Sequence, residues 1–172
     1  MALMNNDSMD AVELLKDDHE KVQDLFDDFE DTQDTDVRRQ ICETVRNELT
    51  VHTRIEEEIF YPAVRAELGE DDLMDEAEEE HHVAKMLISE LENMSADDDH
   101  FAAKFTVLAE SVRHHIKEEE GEMFPKVKRS NLDLDDLGEQ MATRKQELMK
   151  EISALPYRSS QTQPDIGWRD DL

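Results

Sequence analysis

Apolar residues recur every three or four positions in four successive segments, which is the spacing of one face of an α-helix. The first segment covers residues 9 to 29 and the second runs from about residue 35 to 68. The third follows a turn signal at 68 to 71, and the fourth begins after an acidic cap at 97 to 99. The pattern predicts four amphipathic helices, and Pro62 should kink or thin the second helix near its end.

One sequence pattern occurs twice. In HTRIEEEIFYP at 52 to 62 and in HIKEEEGEMFP at 115 to 125, a histidine is followed by glutamate after four residues and by proline after ten. Two further histidines, His19 and His81, are 62 residues apart, nearly the 63 residues that separate His52 from His115. A helical hairpin is therefore predicted to be present twice, and two hairpins give an all-α, antiparallel four-helix bundle.

The chain of 172 residues suits a single domain. Residues 1 to 130 are predicted to form the bundle, and residues 131 to 172 an accessory helix and an irregular tail of the same domain. The accessory helix is predicted to be short and to pack outside the bundle, from the spacing of Leu134, Leu137, Met141 and Leu148. The tail begins near the sequence PYRSS and lacks an apolar pattern.

Ionisable residues interrupt the apolar faces of all four predicted helices, although an uncompensated charge in a bundle core is costly. The two residues of each HxxxE pair project from one helical face, so each pair offers a nitrogen and an oxygen to one centre. Four imidazoles and two carboxylates are too many ligands for one tetrahedral zinc. They suit two metals, each with two histidines and bridged by both carboxylates. The six candidate ligands are His19, His52, Glu56, His81, His115 and Glu119.

Two histidine doublets require a choice between neighbours. Adjacent helical residues point about 100° apart, so only one member of each doublet faces the core. His82 and His114 are predicted to lie on the surface, as is His100 before the fourth helix. Glu57 and Glu120 are the candidates to replace a neighbouring glutamate if a ligand is misassigned.

The chain is strongly acidic, with 46 Asp and Glu against 19 Lys and Arg and a formal net charge of −27. This charge argues against nucleic acid or an anionic membrane as a partner, and most of it is expected to form a solvated surface suited to a salt-rich interior. The single cysteine cannot form an internal disulfide, and no apolar run approaches the roughly 20 residues of a membrane span. No signal peptide is evident, so a cytoplasmic location is predicted.

Four motifs occur in one order between residues 8 and 127: DDHEKVQDLF, HTRIEEEIFYP, EEEHHVAKMLISELE and HIKEEEGEMFP. Together they resemble the hemerythrin-like, or HHE cation-binding, proteins, which are four-helix bundles with a non-haem di-iron centre. The resemblance implies two iron ions on the six candidate ligands, with both glutamates as bridges and an oxo or hydroxo bridge between the ions.

One position departs from the oxygen-carrying members of this family. They have a second histidine four residues after the third-helix ligand, whereas this chain has Lys85. An ammonium is a poor ligand, so Lys85 should leave an open position or hydrogen-bond to the molecule bound there. The resemblance then implies chemistry with oxygen, hydrogen peroxide or nitric oxide. Catalase-like or oxidase-like activity, with peroxide disproportionation preferred, is the first hypothesis, and non-enzymatic oxygen binding or iron storage or sensing is the alternative.

A ferritin-like carboxylate oxidase is a different class that the pattern disfavours. Such a bundle requires Glu-x-x-His on two helices and a further glutamate on each of the others. Only the third predicted helix offers this spacing, as Glu78 with His81 or Glu79 with His82.

Overall fold

The computed structural model describes residues 9–154. Within this range the helices are α1 Ala11–Asp31, α2 Thr35–Ile55, α3 Tyr61–Leu68, α4 Asp71–Glu92, α5 Phe101–Glu118, α6 Phe124–Val127 and α7 Leu134–Ala154. Two π-helical turns, π1 Glu56–Phe60 and π2 Glu119–Met123, join α2 to α3 and α5 to α6. The predicted all-α bundle is confirmed. None of these helices has the length and apolar character needed to cross a membrane.

Side-chain caps and one glycine set the ends of several helices. Asp10 accepts a hydrogen bond of 2.9 Å from the backbone N–H of Glu13 at the start of α1. Asp34 does the same for the first turn of α2. α3 ends at Gly69, whose φ of 65° is a left-handed conformation that other residues adopt at a cost. These ends fold the first four helical segments back on one another.

Both π-helical turns begin at the glutamate of an HxxxE pair. The N–H of Tyr61 donates to the carbonyl of Glu56, five residues earlier, and the N–H of Phe124 donates to that of Glu119. In each case the next residue is the proline of the repeated motif. The irregularity expected at Pro62 is therefore a widened turn that comes before it, and such turns often occur at functional sites.

Two apolar clusters fill the bundle on either side of a polar layer. One cluster contains Leu15, Ile55 and Phe60, and the other contains Phe26 and Phe105. Along α1 the first cluster ends at residue 15 and the second begins at residue 22, so position 19 lies between them. The histidines and glutamates of the sequence pattern therefore occupy a layer that is closed at both ends by packed side chains.

Helix α7 lies against α1 and α2 outside the bundle. It has 21 residues, so it is longer than its apolar pattern predicts. Its buried side chains include Leu137, Met141 and Leu148. A Cβ at Gly138 would lie 2.9 Å from the backbone nitrogen of Ala11, so this close approach to the start of α1 requires glycine. The predicted irregular tail lies outside the described residues.

Candidate metal centre

The structure brings together all six residues that the sequence proposes as ligands. Each is between 0% and 6% exposed. They come from α1, α2, π1, α4, α5 and π2, so each of the four bundle segments contributes at least one. The members of this set are His19, His52, Glu56, His81, His115 and Glu119.

Glu56 lies between histidines of the two hairpins. Its Oε2 is 3.2 Å from Nε2 of His52 and 3.3 Å from Nε2 of His81. His81 Nε2 in turn lies 3.1 Å from Nε2 of His115. One carboxylate oxygen thus lies beside imidazole nitrogens from both halves of the molecule.

Glu119 has the corresponding place in the second hairpin. Its Oε2 is 3.2 Å from Nε2 of His19 and 3.4 Å from Nε2 of His115. Each hairpin also contributes a pair of neighbouring rings. The ring centroids of His19 and His52 are 4.9 Å apart, and those of His81 and His115 are 4.7 Å apart. The arrangement suits two adjacent ions, one per histidine pair, with both carboxylates between them.

Glu56 and Glu119 are each followed by a carboxylate that contacts a histidine of the opposite hairpin. Glu57 Oε1 is 2.9 Å from Nδ1 of His81, and Glu120 Oε1 is 2.9 Å from Nδ1 of His19. These contacts place both carboxylates on the outer side of the rings. An Nδ1–H that donates to a carboxylate turns Nε2 toward the centre and fixes the tautomer.

Nδ1 of His52 and Nδ1 of His115 also lie near a carboxylate. In each hairpin this carboxylate belongs to the residue just before the hairpin's first histidine. Glu80 Oε2 is 2.7 Å from Nδ1 of His115, and Asp18 Oδ2 is 3.5 Å from Nδ1 of His52. We refer to Asp18, Glu57, Glu80 and Glu120 as the outer carboxylates. The sequence analysis did not identify Asp18 or Glu80, although each immediately precedes the first histidine of its hairpin.

Charges within the layer shift the pKa values of its members strongly. Burial lowers the pKa of His115, but Glu119 and Glu80 outweigh it and hold that pKa well above its usual range. Burial raises the pKa of Glu119, yet His115 and His19 hold it well below its usual range. In the metal-free protein, protonated imidazoles thus compensate the buried carboxylate.

Several buried polar atoms make no hydrogen bond among the described residues, although most of them lie 3.2 to 3.5 Å from an ionisable neighbour. They include Nε2 of His19, Nδ1 of His52, both carboxylate oxygens of Glu56 and Oε2 of Glu119. A buried anionic oxygen that accepts no hydrogen bond is costly, and bound cations would compensate both carboxylates. Imidazole nitrogen with carboxylate oxygen is a donor set that suits first-row transition metals, iron among them. The residues therefore fit the implied pair of metal ions.

Tyr61 is a member of the site that sequence reasoning missed. It is fully buried, its hydroxyl donates a hydrogen bond of 2.8 Å to Oε1 of Glu119, and its ring stacks on His81 with centroids 5.6 Å apart. Burial, followed by the charge of Glu119, raises the pKa of Tyr61 well above its usual value, so the hydroxyl keeps its proton. Alignment of the two motifs could have identified this position. Tyr61 aligns with Phe124, another aromatic residue, whose ring stacks on His19 with centroids 5.8 Å apart.

Lys85 does not direct its ammonium at the centre, so of its two expected roles the hydrogen bond to a bound molecule is not what the structure shows. Its Nζ donates to both oxygens of Glu57, at 2.6 and 2.8 Å, and the side chain is 47% exposed. Lys85 therefore binds an outer carboxylate at the surface and does not reach the centre. Burial raises the pKa of Glu57, but the hydrogen bonds from His81 and Lys85 outweigh it and lower that pKa to about 2.

The histidines predicted to lie outside the core are exposed, and their neighbours His81 and His115 are buried. His82 and His100 face solvent, and the side chain of His114 is 62% exposed. His114 lies 3.3 Å from Glu118 in an i, i+4 pair on the surface.

A cavity of about 20 Å³ adjoins the centre. Its lining combines the four buried histidines with apolar side chains that include Val22, Leu49, Ala84 and Val112. This volume holds roughly one water molecule. A molecule of two or three atoms matches this volume.

Comparison with known proteins agrees with this description. A model of the hemerythrin HHE cation-binding domain matches residues 10–127. A protein from Nostoc sp. named DNA nickase is 30% identical over 135 residues, which cover 78% of this chain and 38% of that protein. An uncharacterized hemerythrin-like protein from Schizosaccharomyces pombe is 28% identical over 110 residues, which cover 63% of this chain and 54% of that protein. The chain thus spans about half or less of these curated relatives.

Similarity to a solved structure extends over most of the fold. The crystal structure of a hemerythrin HHE cation-binding domain-containing protein from Mycobacterium kansasii aligns with a TM-score of 0.71 and 26% identity. The alignment covers 83% of this chain and 88% of the other. The resemblance predicted from the four motifs is confirmed, and with its clusters of buried histidine and glutamate this chain is a metal-binding protein that belongs to the hemerythrin HHE cation-binding domain family.

Proposed function

We propose that this chain binds two iron ions in the polar layer and uses them to disproportionate hydrogen peroxide. His19 and His52 would hold one ion and His81 and His115 the other, with Glu56 and Glu119 bridging them. The observation that carries this proposal is the position of each bridging Oε2, which lies 3.2 to 3.4 Å from imidazole nitrogens of both hairpins. Oxygen and nitric oxide are further small ligands that such a centre accepts.

The reaction balances without a further reductant. One peroxide gains two electrons and two protons and becomes two waters, while a second loses two electrons and two protons and becomes oxygen. When bound, the pair of iron ions would supply the two-electron exchange. The chain supplies the rest: outer carboxylates orient the imidazoles, apolar walls exclude bulk water, and Tyr61 holds a proton on a hydroxyl directed at Glu119.

The experiment that tests this proposal uses protein loaded with iron and reduced without air. Oxygen is admitted while the visible spectrum is followed for minutes, and oxygen release from peroxide is then measured with an electrode. We expect direct passage to an oxidised form and steady oxygen release, with neither in a Glu56→Ala variant that lacks the metals. A stable, reversible oxygen adduct favours oxygen binding instead, and absence of turnover in fully loaded protein favours iron storage or sensing.

The placement of Lys85 disfavours reversible oxygen carriage. It directs its ammonium to Glu57 at the surface, so no fifth imidazole or substitute from this position reaches the ion beside His81. That ion would then keep a position for an exchangeable ligand, as turnover requires.

We do not propose DNA nicking for this chain, although the relative from Nostoc sp. is named a DNA nickase. This chain corresponds to 38% of that protein, and its net charge of −27 repels phosphate backbones. We expect no retention of duplex DNA in a mobility assay at low salt, where electrostatic binding is strongest.

A further inference from the structure

Helix α7 contacts the candidate metal centre through one pair of charges. Lys145 Nζ donates a hydrogen bond to Oδ1 of Asp18, an outer carboxylate that is 8% exposed. The other oxygen of Asp18 lies 3.5 Å from Nδ1 of His52. A chain of three side chains therefore runs from α7 to a candidate metal ligand. Lys145 also lies beyond residues 10–127, the part of the chain that matches the family model.

The outer carboxylates differ in the group that holds each of them. Glu57 is bound by Lys85 at 2.6 Å, and Glu120 lies 3.7 Å from Lys16, so both have partners within the bundle. Asp18 and Glu80 occupy equivalent positions in the two hairpins, but their partners differ. Glu80 faces the exposed His114, at 3.6 Å, in its own hairpin. Among the four outer carboxylates, Asp18 is the one whose cation comes from α7.

A second contact fixes α7 near the same end of the centre. Arg144 Nε donates to Oε2 of Glu58 at 2.7 Å, and Glu58 lies within π1, two residues after Glu56. Leu137 and Met141 bury their side chains in the same interface. This anchoring holds the Lys145 ammonium at Asp18 and limits its freedom to swing into solvent.

We propose that Lys145 is a positioning residue that orients His52 through Asp18, so that the docking of α7 governs metal retention at the His19/His52 position. This inference rests on the proposed two-metal centre. The ammonium engages Oδ1, and Oδ2 then lies 3.5 Å from His52 Nδ1, a charged contact that is not a hydrogen bond in this structure, on the side of the ring away from Nε2. Loss of such an outer partner typically weakens metal binding by roughly 10- to 100-fold. The His81/His115 position has its own outer partners and should be unaffected.

The test measures metal release from protein loaded with two cobalt ions per chain into excess chromophoric chelator. In Lys145→Met we expect one ion per chain to leave about 10- to 100-fold faster than in the wild type, while the second leaves at the wild-type rate. Lys145→Arg, which keeps a cation beside Asp18, should restore slow release. Lys150→Met is the matched control, because it removes an exposed lysine from the same helix and should change neither rate.

A reciprocal variant identifies the position affected. Lys85→Met removes the cation from Glu57, so it should speed the release of one ion, and the double variant with Lys145→Met should release both quickly. Equal acceleration of both ions in Lys145→Met alone indicates a general loosening of the bundle and overturns the inference. Wild-type release rates in that variant overturn it as well. Fewer than two ions per wild-type chain overturn the two-metal centre and this inference with it, which separates the two failures.

Discussion

The hydroxyl of Tyr61 donates a hydrogen bond of 2.8 Å to Oε1 of Glu119, the buried glutamate of the opposite hairpin. In the other half of the centre Phe124 occupies the equivalent place and has no hydroxyl to donate. Oε1 of Glu56 accordingly accepts no hydrogen bond within residues 9–154, and Oε2 of both glutamates accepts none either. Two halves that match in their histidines and carboxylates thus differ by one phenolic proton.

Tyr61→Phe should destabilise the metal-free protein by about 1–3 kcal/mol, because it leaves a buried carboxylate oxygen without its donor. Urea denaturation of metal-free wild type and variant measures this difference. Metal content should stay at two ions per chain, since Tyr61 is not among the six proposed ligands. The double variant Tyr61→Phe with Phe124→Tyr moves the hydroxyl toward Glu56 and should recover part of the loss. Equal unfolding free energies for wild type and Tyr61→Phe contradict this prediction.

Replacing either bridging carboxylate should affect both metals. Glu56→Ala or Glu119→Ala should reduce metal content from two ions to fewer than one per chain, because each side chain would contact both ions. Elemental analysis of protein purified from iron-replete cells gives the number. Glu122→Ala is a matched control in the π-helical turn that begins at Glu119 and should retain both ions, since its side chain is 60% exposed.

The exposed histidines provide a separate check of the ligand assignment. His82→Ala and His114→Ala should keep two ions per chain, because both side chains face solvent. An empty centre in either variant shows that the wrong member of a doublet was assigned.

The helical periodicity of the sequence was sufficient to predict the fold and to predict that six particular residues face the core. The outer carboxylates were harder to recognise, because Asp18 and Glu80 are two among 46 acidic residues. Their role depends on how neighbouring helices pack, and the periodicity of one helix does not predict that packing. The repeated hairpin gives one indication, since Asp18 and Glu80 each precede the first histidine of their hairpin.

Other features depended on tertiary contacts or on local hydrogen bonding. A kink at Pro62 and a π-helical turn before it give the same apolar pattern, so the pattern could not distinguish them. Lys85 was expected to leave an open position or to hydrogen-bond to the molecule bound there, and the sequence could not choose between them. Glu57 offers its ammonium a salt bridge at the surface with little desolvation. The contact of Lys145 with Asp18 spans 127 positions along the chain and follows from the docking of α7.

Metal should support the folded state, since the oxygens of Glu56 and Glu119 that accept no hydrogen bond would coordinate the bound ions. Binding to the folded form alone adds about 4 kcal/mol at a free metal concentration 1,000 times the Kd. Scanning calorimetry of metal-free and iron-loaded protein should therefore show a higher Tm for the loaded form. Glu56→Ala should show a much smaller rise. Equal values of Tm for the two wild-type forms argue that the histidines are structural.

The pH dependence of the metal-free protein follows from the shifted pKa values. Neighbouring carboxylates outweigh burial and raise the pKa values of His19, His81 and His115 above the usual 6.5. Their contribution to stability is complete below that value and is lost as the pH rises through the raised pKa. The pKa of Glu119 lies well below its usual 4.5, so its contribution is present above 4.5 and is lost as the pH falls through the lowered pKa. The metal-free protein should be most stable between about pH 4.5 and 6.5.

The iron-loaded protein should respond in the opposite direction above this range. Metal replaces the protons of the imidazoles, so binding strengthens as the pH rises and the competing protons become scarce. Between about pH 6 and 8 we expect the Tm of the loaded form to rise while that of the metal-free form falls. Paired thermal scans at half-unit steps measure both slopes in one series. Parallel slopes would show that the buried histidines do not exchange protons for metal, and the assignment of all four as ligands would then be wrong.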